Sequence, residues 1–405
     1  MLKFVPYTLK TLWRHRSRTM LTASGSAVAL FVFCFVGAVQ EGMNDLQRRQ
    51  AAKGSLIAFQ ANKFCPATSH LPQDSDQQIA RLDALGFDAM MATELEFFLF
   101  EGDYRTLQKE KYANLVPLNG HNEDYCLFQT TKEESFLQPL RNHLVGAGIP
   151  VECTKGEAEV GQQELNIRYA DALACADHHT ISKQAVKEIA YQQGFSASFL
   201  PKWSADKVGS SSHVHMSLWK DGTPAFYDKD AKLGMSQMMQ HFMAGLIAYA
   251  PDITYFFAPY INSYKRFAKG TFAPTKTVWS VDNRTAGFRL CGDGTKGIRV
   301  ECRIGGSDLN PYLAQAVLLA AGLKGIEEKL PLQEPTMGDV YEDANVTEIP
   351  RTLRAATQTL RNSAMLREAL GDDVVDHYTR AAEWEQEEYD KVVTDWEINR
   401  GFERA

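Results

Sequence analysis

Four short segments of this chain place ionisable side chains at alternate positions, the spacing that puts them on one face of a β-strand. In TELEFFLF these are Glu94 and Glu96, and in QQELNIRY they are Glu164, Asn166 and Arg168. In SSHVHMSL they are His213, His215 and Ser217, and in IRVECRI they are Arg299, Glu301 and Arg303. Carboxylate oxygens joined by an imidazole suit a hard divalent ion such as Mg2+ or Mn2+. Arg299 and Arg303 beside Glu301 would suit phosphate oxygens next to such an ion. A solvated sheet face produces the same alternation, so one strand alone carries little. The assortment of Glu, His and Arg across four strands carries more.

Further cations follow: Lys265 and Arg266 in NSYKRF, and Arg284 and Arg289 in DNRTAGFRL. Several arginines beside carboxylates imply an anionic substrate, most simply a nucleotide polyphosphate bridged by divalent ions. The sequence has no Walker A motif. GDGTKG matches G-x-G-x-x-G at Gly292, Gly294 and Gly297, but it precedes a strand instead of opening a helix, so it reads as a loop.

These side chains need a scaffold of strands. The stretch from about Ala92 to Arg303 is rich in short alternating segments, which predicts largely antiparallel strands. Ahead of it, Ile79, Leu82 and Leu85 fall at helical spacing. From about Pro350 the chain reads as helices, with Leu353, Leu360 and Leu366 among the apolar positions and Gly371 as a stop. The class is α+β. A length of 405 residues fits one large or two medium domains. With 44% hydrophobic and 23% charged residues, a wholly disordered chain is excluded. A net charge of −7 argues against a nucleic-acid partner. Seven scattered cysteines with no C-x-x-C argue against a disulfide framework or a zinc knuckle, leaving reduced thiols.

The N-terminus differs from the rest. From Thr19 to Gln40 no residue is charged, and Ala27 to Val39 is continuously apolar. Such a run reaches about 33 Å as a helix, enough to cross a bilayer core. Lys3, Lys10, Arg14, Arg16 and Arg18 precede it and no acid appears before Glu41, which predicts a single span with a cytoplasmic N-terminus. The segment MLKFVPYTLKTLWRHRSRTMLTASGSAVALFVFCFVGAV, continuing into SLIAFQANKFCPATSHLP, resembles the start of an ABC-transporter permease of the FtsX/MacB type. The expected division is a permease-like segment over 1–50 with one transmembrane helix at about 19–40, a linker over 51–74, and a third region over 75–405.

That third region resembles the catalytic domain of glutamine synthetase. TELEFFLF resembles the family's E-x-E-F strand, and KGEAEVGQQELN its E…G-Q-x-E segment. FLPKW…GSSSHVHMSL resembles its K-P…H-x-H strand, and NSYKRF, NRTAGFR, RVECR and DLNPYLAQAVLLAAGLKGIE match its later signatures. The tail looks most like the γ-glutamyl-amine branch (γ-glutamylputrescine synthetase-like ligases). The resemblance implies a mainly antiparallel sheet flanked by helices and a homo-oligomer, which in the family is a double ring. Its implied reaction has ATP phosphorylate the γ-carboxylate of glutamate, after which ammonia or an amine displaces phosphate in the cytoplasm. Two Mg2+ or Mn2+ ions per site are implied: one on Glu96, Glu157 and Glu164, the other on Glu94, His213 and Glu301. Arg266 and Arg303 would bind glutamate and its phosphoryl group, with Arg284 and Arg303 as the catalytic cations. Arg284, Arg289 and Arg299 would neutralise ATP phosphates, and His215 and Ser217 would line the nucleotide side.

Three departures from the family stand out. The flap glutamate of the ammonium site is replaced by Phe272, whose ring could pack on an alkyl amine. Glu159 follows Glu157 closely, so either could be the ligand. The family's N-terminal β-grasp domain is absent, its place taken by the permease-like segment. The competing expectation is therefore an impaired fusion or truncated product, or a membrane-tethered module without catalysis.

Overall fold

The computed structural model describes residues 78, 81–82, 85–342 and 346–404. The expected span at 19–40, the permease-like segment and the linker lie outside the described residues. Among the described residues, no helix is long and apolar enough to cross a membrane.

Ten described strands form one sheet. They are β1 (Asp88–Phe100), β2 (Val151–Gly156), β3 (Gln162–Ile167), β4 (Ala170–Asp171), β5 (Ser196–Ser198), β6 (Ser212–Lys220), β7 (Thr223–Pro224), β8 (Trp279–Val281), β9 (Phe288–Cys291) and β10 (Arg299–Cys302). The order is β2-β3-β1-β6-β10-β9-β8, with β4 and β5 added to β1 and β7 to β6. Of these pairings, that of β8 with β9 is parallel and the rest are antiparallel, as expected for most of the sheet.

The described helices are α1 (Tyr104–Lys109), α2 (Leu127–Lys132), α3 (Glu134–Gly146), α4 (Ala172–Gln192), α5 (Gln237–Phe257), α6 (Pro311–Glu327), α7 (Leu353–Asn362), α8 (Ala364–Leu370), α9 (Asp372–Asp390) and α10 (Asp395–Gly401). Helix starts carry side-chain caps that satisfy orphan backbone N–H groups. Asp171 accepts from Ala174, Ser236 from Met239, and Asn310 from Tyr312 just ahead of Pro311.

Apolar alternation fixes how the sheet meets these helices. Leu95, Phe97, Leu99, Leu165 and Ile167 pack with Phe136, Leu140, Leu144 and Val186 of α3 and α4. Val214, Met216, Leu218, Val300 and Cys302 pack in a larger core containing Phe242, Leu246, Val317 and Ala321 of α5 and α6. Burying each large side chain stabilises by about 1.5–3 kcal/mol. A one-residue slip would exchange these for carboxylates, so the core fixes the register of the polar face as well. Phe98 and Phe100 leave the other way and meet Trp203 edge-on, which is why the end of β1 is apolar at every position.

Some local expectations shift. Leu82 is buried, but Leu85 sits in a turn closed by Gly86 at φ 74 and is exposed; Ile79 lies outside the described residues. Arg168 falls just past β3 and is exposed, so it does not share the buried face of Glu164. In the tail, Leu353, Leu360 and Leu366 are buried as expected. The helix breaks at Ser363, which caps α8 and donates to Asp252, and Gly371 at φ 85 stops α8.

Candidate active site

Strand register brings the predicted residues together before any loop is considered. Glu94 lies opposite His213 across β1 and β6, and Glu96 opposite Glu164 across β1 and β3. Glu301 lies opposite His215 across β10 and β6, and opposite Arg289 across β9. Directly opposed side chains stand about 4.5–5.5 Å apart at Cβ. The turn between β2 and β3 then adds Glu157, whose backbone N–H donates to the Gln162 carbonyl.

Two compact groups result. Ligand-type atoms of Glu96, Glu157 and Glu164 lie within 4.8 Å of one another, and so do those of Glu94, His213 and Glu301. Glu159 is turned elsewhere: its carboxylate accepts from Lys207 and the Val208 backbone. Of the two, Glu157 and not Glu159 stands beside Glu96 and Glu164.

The electrostatics of the groups differ. Burial, reinforced by Glu157, pushes the Glu96 carboxyl up to about 8. Burial and the charges of Glu94, Glu157 and Glu96 push Glu164 up to about 9. Burial also opposes ionisation of Glu301, but Arg303 and the two histidines outweigh it and hold the group at about 2. Glu94 is held well below the usual range against burial, because His213 and His215 bond to it at 2.7 and 2.9 Å. His213 Nε2 is buried without a hydrogen-bond partner. Crowded carboxylates and an orphaned imidazole nitrogen fit divalent cations.

All of these but the fully buried Glu301 line a cleft of about 160 Å³, together with Lys155, Tyr125, Gln162, Ser211, Phe272, Arg284, Arg289 and Arg303. Arg303 donates to Glu301 Oε1 at 2.5 Å, and Arg289 to Oε2 at 2.8 Å. Arg284 is exposed and donates to the Tyr125 hydroxyl at 3.1 Å. Phe272 occupies a loop at φ 57, a strained conformation for a bulky residue. A second cavity of about 680 Å³ is lined by His215, Ser217 and Arg299, with Trp219, Tyr169, Lys296 and Gly297. Glu94 lines both cavities. The GDGTKG turn is indeed a loop, yet its Lys296 and Gly297 face this second space.

Arg266 lies behind the cleft instead of lining it. It is 1% exposed, donates to Ser211 Oγ at 3.1 Å and bonds the Ile304 carbonyl. The Ser211 backbone in turn donates to Glu96 at 2.7 Å. Gly209 permits this packing, since a Cβ there would stand 2.5 Å from Arg266 Cγ. Lys265 is exposed.

Several cleft residues escaped sequence reasoning. Gln162, which donates to Glu96 at 3.1 Å, is at i−2 from Glu164, a spacing that could have flagged it. Lys155 bonds Glu157 and stands at i−2 from it. Asp124 and Tyr125 come from a loop with no periodic signal.

The family model for the glutamine synthetase catalytic domain matches residues 74–401. A γ-glutamylethanolamide synthetase from Streptomyces coelicolor is 43% identical over 329 residues, covering 81% of this chain and 70% of that protein. A glutamate–isopropylamine ligase from a Pseudomonas species is 35% identical over 327 residues, covering 80% of this chain and 71% of that one. A solved GmaS/ADP complex superposes with a TM-score of 0.74 at 27% identity, covering 82% of this chain and 76% of that chain. Through its catalytic domain, this chain belongs to the glutamine synthetase family.

Proposed function

We propose that this chain is an ATP-dependent ligase that joins the γ-carboxylate of glutamate to an alkyl amine through a γ-glutamyl phosphate. The observation that carries the reading is the shared wall. One cleft is lined by five of the six residues of the two cation-type groups and by three arginines, and its Glu94 also lines the larger cavity of His215, Ser217 and Arg299. The larger cavity has room for a nucleotide, whose phosphates would reach the cleft at Glu94.

Glu96, Glu157 and Glu164 would hold one divalent ion, and Glu94, His213 and Glu301 the other. Bound there, such ions supply positive charge to phosphate oxygens. Arg284, Arg289 and Arg303 face the same space and spread the charge of the transferred phosphoryl group. Arg299 serves the nucleotide phosphates from the second cavity. A γ-carboxylate oxygen of glutamate attacks the terminal phosphorus and ADP leaves. The neutral amine nitrogen then attacks the γ-carbonyl carbon, phosphate leaves, and the nitrogen releases its proton to the departing phosphate. Arg266 acts from behind, orienting Ser211 and through it Glu96. These substrates place the chemistry in the cytoplasm.

Phe272 favours an alkyl amine over ammonia. Desolvating an ammonium ion without a counter-charge is costly, whereas an alkyl chain gains from contact with the ring. The two relatives named above carry ethanolamine and isopropylamine in their names. The test is amine-dependent phosphate release by the full chain with ammonia, ethylamine, ethanolamine, isopropylamine and putrescine. An alkyl amine is expected to give the highest kcat/KM; ammonia exceeding all of them refutes the preference. Phe272→Glu should move the ratio toward ammonia by roughly tenfold, about 1.4 kcal/mol of differential transition-state binding.

A further inference from the structure

Glu123 is fully buried, yet it belongs to neither of the carboxylate groups described above. It meets Gln163 of β3, which points away from Gln162 and Glu164 and shares the core face of Leu165 and Ile167. Gln163 Nε2 donates to Glu123 Oε2, while Glu123 Oε1 and Gln163 Oε1 are both buried without a hydrogen-bond partner. Gly156 of β2, opposite Gln163, makes room for the carboxyl side chain: a Cβ there would stand 2.3 Å from Glu123 Cβ. The next two residues, Asp124 and Tyr125, line the cleft. Tyr125 holds φ 53, strained for a bulky residue, and with Phe272 is one of the two exposed aromatic residues of the lining. Asp124 lies 3.7 Å from Lys155, whose ammonium stands over the Tyr125 ring.

We propose that Glu123 and Gln163 form a latch that positions the Asp124–Tyr125 turn at the cleft, closed when Glu123 is a neutral acid. A proton on Glu123 Oε1 turns that oxygen into a donor, and Gln163 Oε1 is the acceptor left over. Acid and carboxamide then exchange two hydrogen bonds, and neither orphan remains. An ionised Glu123 leaves both oxygens orphaned and buries a charge.

The surroundings offer that charge no cation. Glu133, at the start of α3, is a second acid, while Asn119, Thr130 and the Gly161 backbone are neutral, and none of them bonds Oε1. Lys132 of α2 lies over the Phe128 ring, and Lys155 of β2 turns to the polar face to bond Glu157. Burial, with Glu133 adding to it, pushes the Glu123 carboxyl up to about 7. Exposed, it would titrate near about 4.3. The closed form therefore holds its proton more tightly than the open form. Its advantage is full below about pH 4.3, falls as pH rises toward 7 and levels off above, a loss of roughly tenfold between pH 6 and 8.

The turn stands with Phe272 in the cleft and does not line the larger cavity, so the latch acts on amine capture and not on ATP. This consequence rests on the ligase reading, whereas the latch itself does not. Hydrogen–deuterium exchange of the full chain tests the latch without turnover. The amides of Asp124 and Cys126, bonded to Asn122 and to Glu123 in the closed turn, are compared with those of Glu123→Gln at the same pH. That variant keeps a two-way carboxamide pair without a titration, so it stays latched throughout. The ratio of exchange rates, unmutated over variant, should rise roughly tenfold from pH 6 to pH 8. A flat ratio overturns the latch, and because this variant preserves the buried pair, the result does not depend on a disruptive substitution folding. Glu123→Ala offers Gln163 no partner and should exchange fast at both pH values; exchange as slow as in the unmutated chain at pH 6 also overturns the latch. In the kinetic arm, the same ratio taken for the KM of ethylamine should rise with pH, while the ratios for kcat and for the KM of ATP stay flat. Dividing by the variant cancels the protonation of the amine itself. A flat ethylamine ratio overturns the role in amine capture, whereas absence of turnover in the unmutated chain counts against the ligase reading and leaves the exchange result standing.

Discussion

Glu164 depends most on a counter-charge, because burial and three neighbouring glutamates all disfavour its ionised form. The expected outcome for Glu164→Ala is a loss of Mn2+ affinity on the order of tenfold or more at the Glu96–Glu157–Glu164 group, read by isothermal titration calorimetry. A dissociation constant equal to that of the unmutated chain would sink the ligand assignment. At this scale the polar residues on strands were legible in advance, since alternation alone marks Glu94, Glu96, Glu164, His213 and Glu301. Lys155 was less so. Its ammonium bonds Glu157 and lies over the Tyr125 ring at 4.8 Å, contacts that depend on a turn and a loop with no period of their own. Arg266 was legible as a cation but not as a buried one, because its burial comes from the close approach of Gly209.

The element scale turns on α5 and α6, whose packing supports β6 and β10 from behind. The two helices touch at Gly245 and Gly325, small enough to let the backbones meet. A Cβ at Gly325 would stand 2.3 Å from the His241 carbonyl and 2.6 Å from Gly245 Cα. Backbone cannot yield as a flexible side chain can, so Gly325→Ala should force the helices apart at a cost of about 2–3 kcal/mol. For a domain of this size that corresponds to a fall in Tm of roughly 3–4 °C. Gly146, at the end of α3, has open space at its Cβ and is the control: Gly146→Ala should leave Tm unchanged or raise it slightly. If both variants melt alike, close packing at this crossing is not what the helices require. The strands were readable from period two, and the tail helices from their leucines. The break at Ser363 was not, because it depends on Asp252 of α5, far away in sequence. Nor was the parallel pairing of β8 with β9, which no local pattern encodes.

At the scale of the whole molecule, the polar face and the apolar cores must coexist in one sheet, and pH tests that balance where a titratable group sits on the core side. His179 of α4 is such a group. Its Nδ1 meets Thr93 Oγ1 of β1 at 3.0 Å, while its Nε2 is buried without a partner. Burial, aided by Lys183, lowers its pKa to about 3. In the unfolded chain it titrates near about 6.5. As pH falls below that value the unfolded chain takes up a proton that the folded chain refuses, so stability declines with falling pH. The contribution is fully present above about pH 6.5 and is lost progressively toward pH 3, at up to about 1.4 kcal/mol per pH unit. Other groups titrate in the same range, so the measurement is a difference. His179→Asn keeps a side-chain group able to meet Thr93 and removes the titration. Urea unfolding of both proteins at pH 7, 6, 5 and 4 should show the unmutated chain losing about 3 kcal/mol relative to the variant between pH 6.5 and 4. Groups common to both proteins, including the cleft carboxylates, cancel in that difference. Parallel stability curves would mean that His179 accepts its proton within the fold, and that the contact between α4 and β1 opens far more readily than its packing implies.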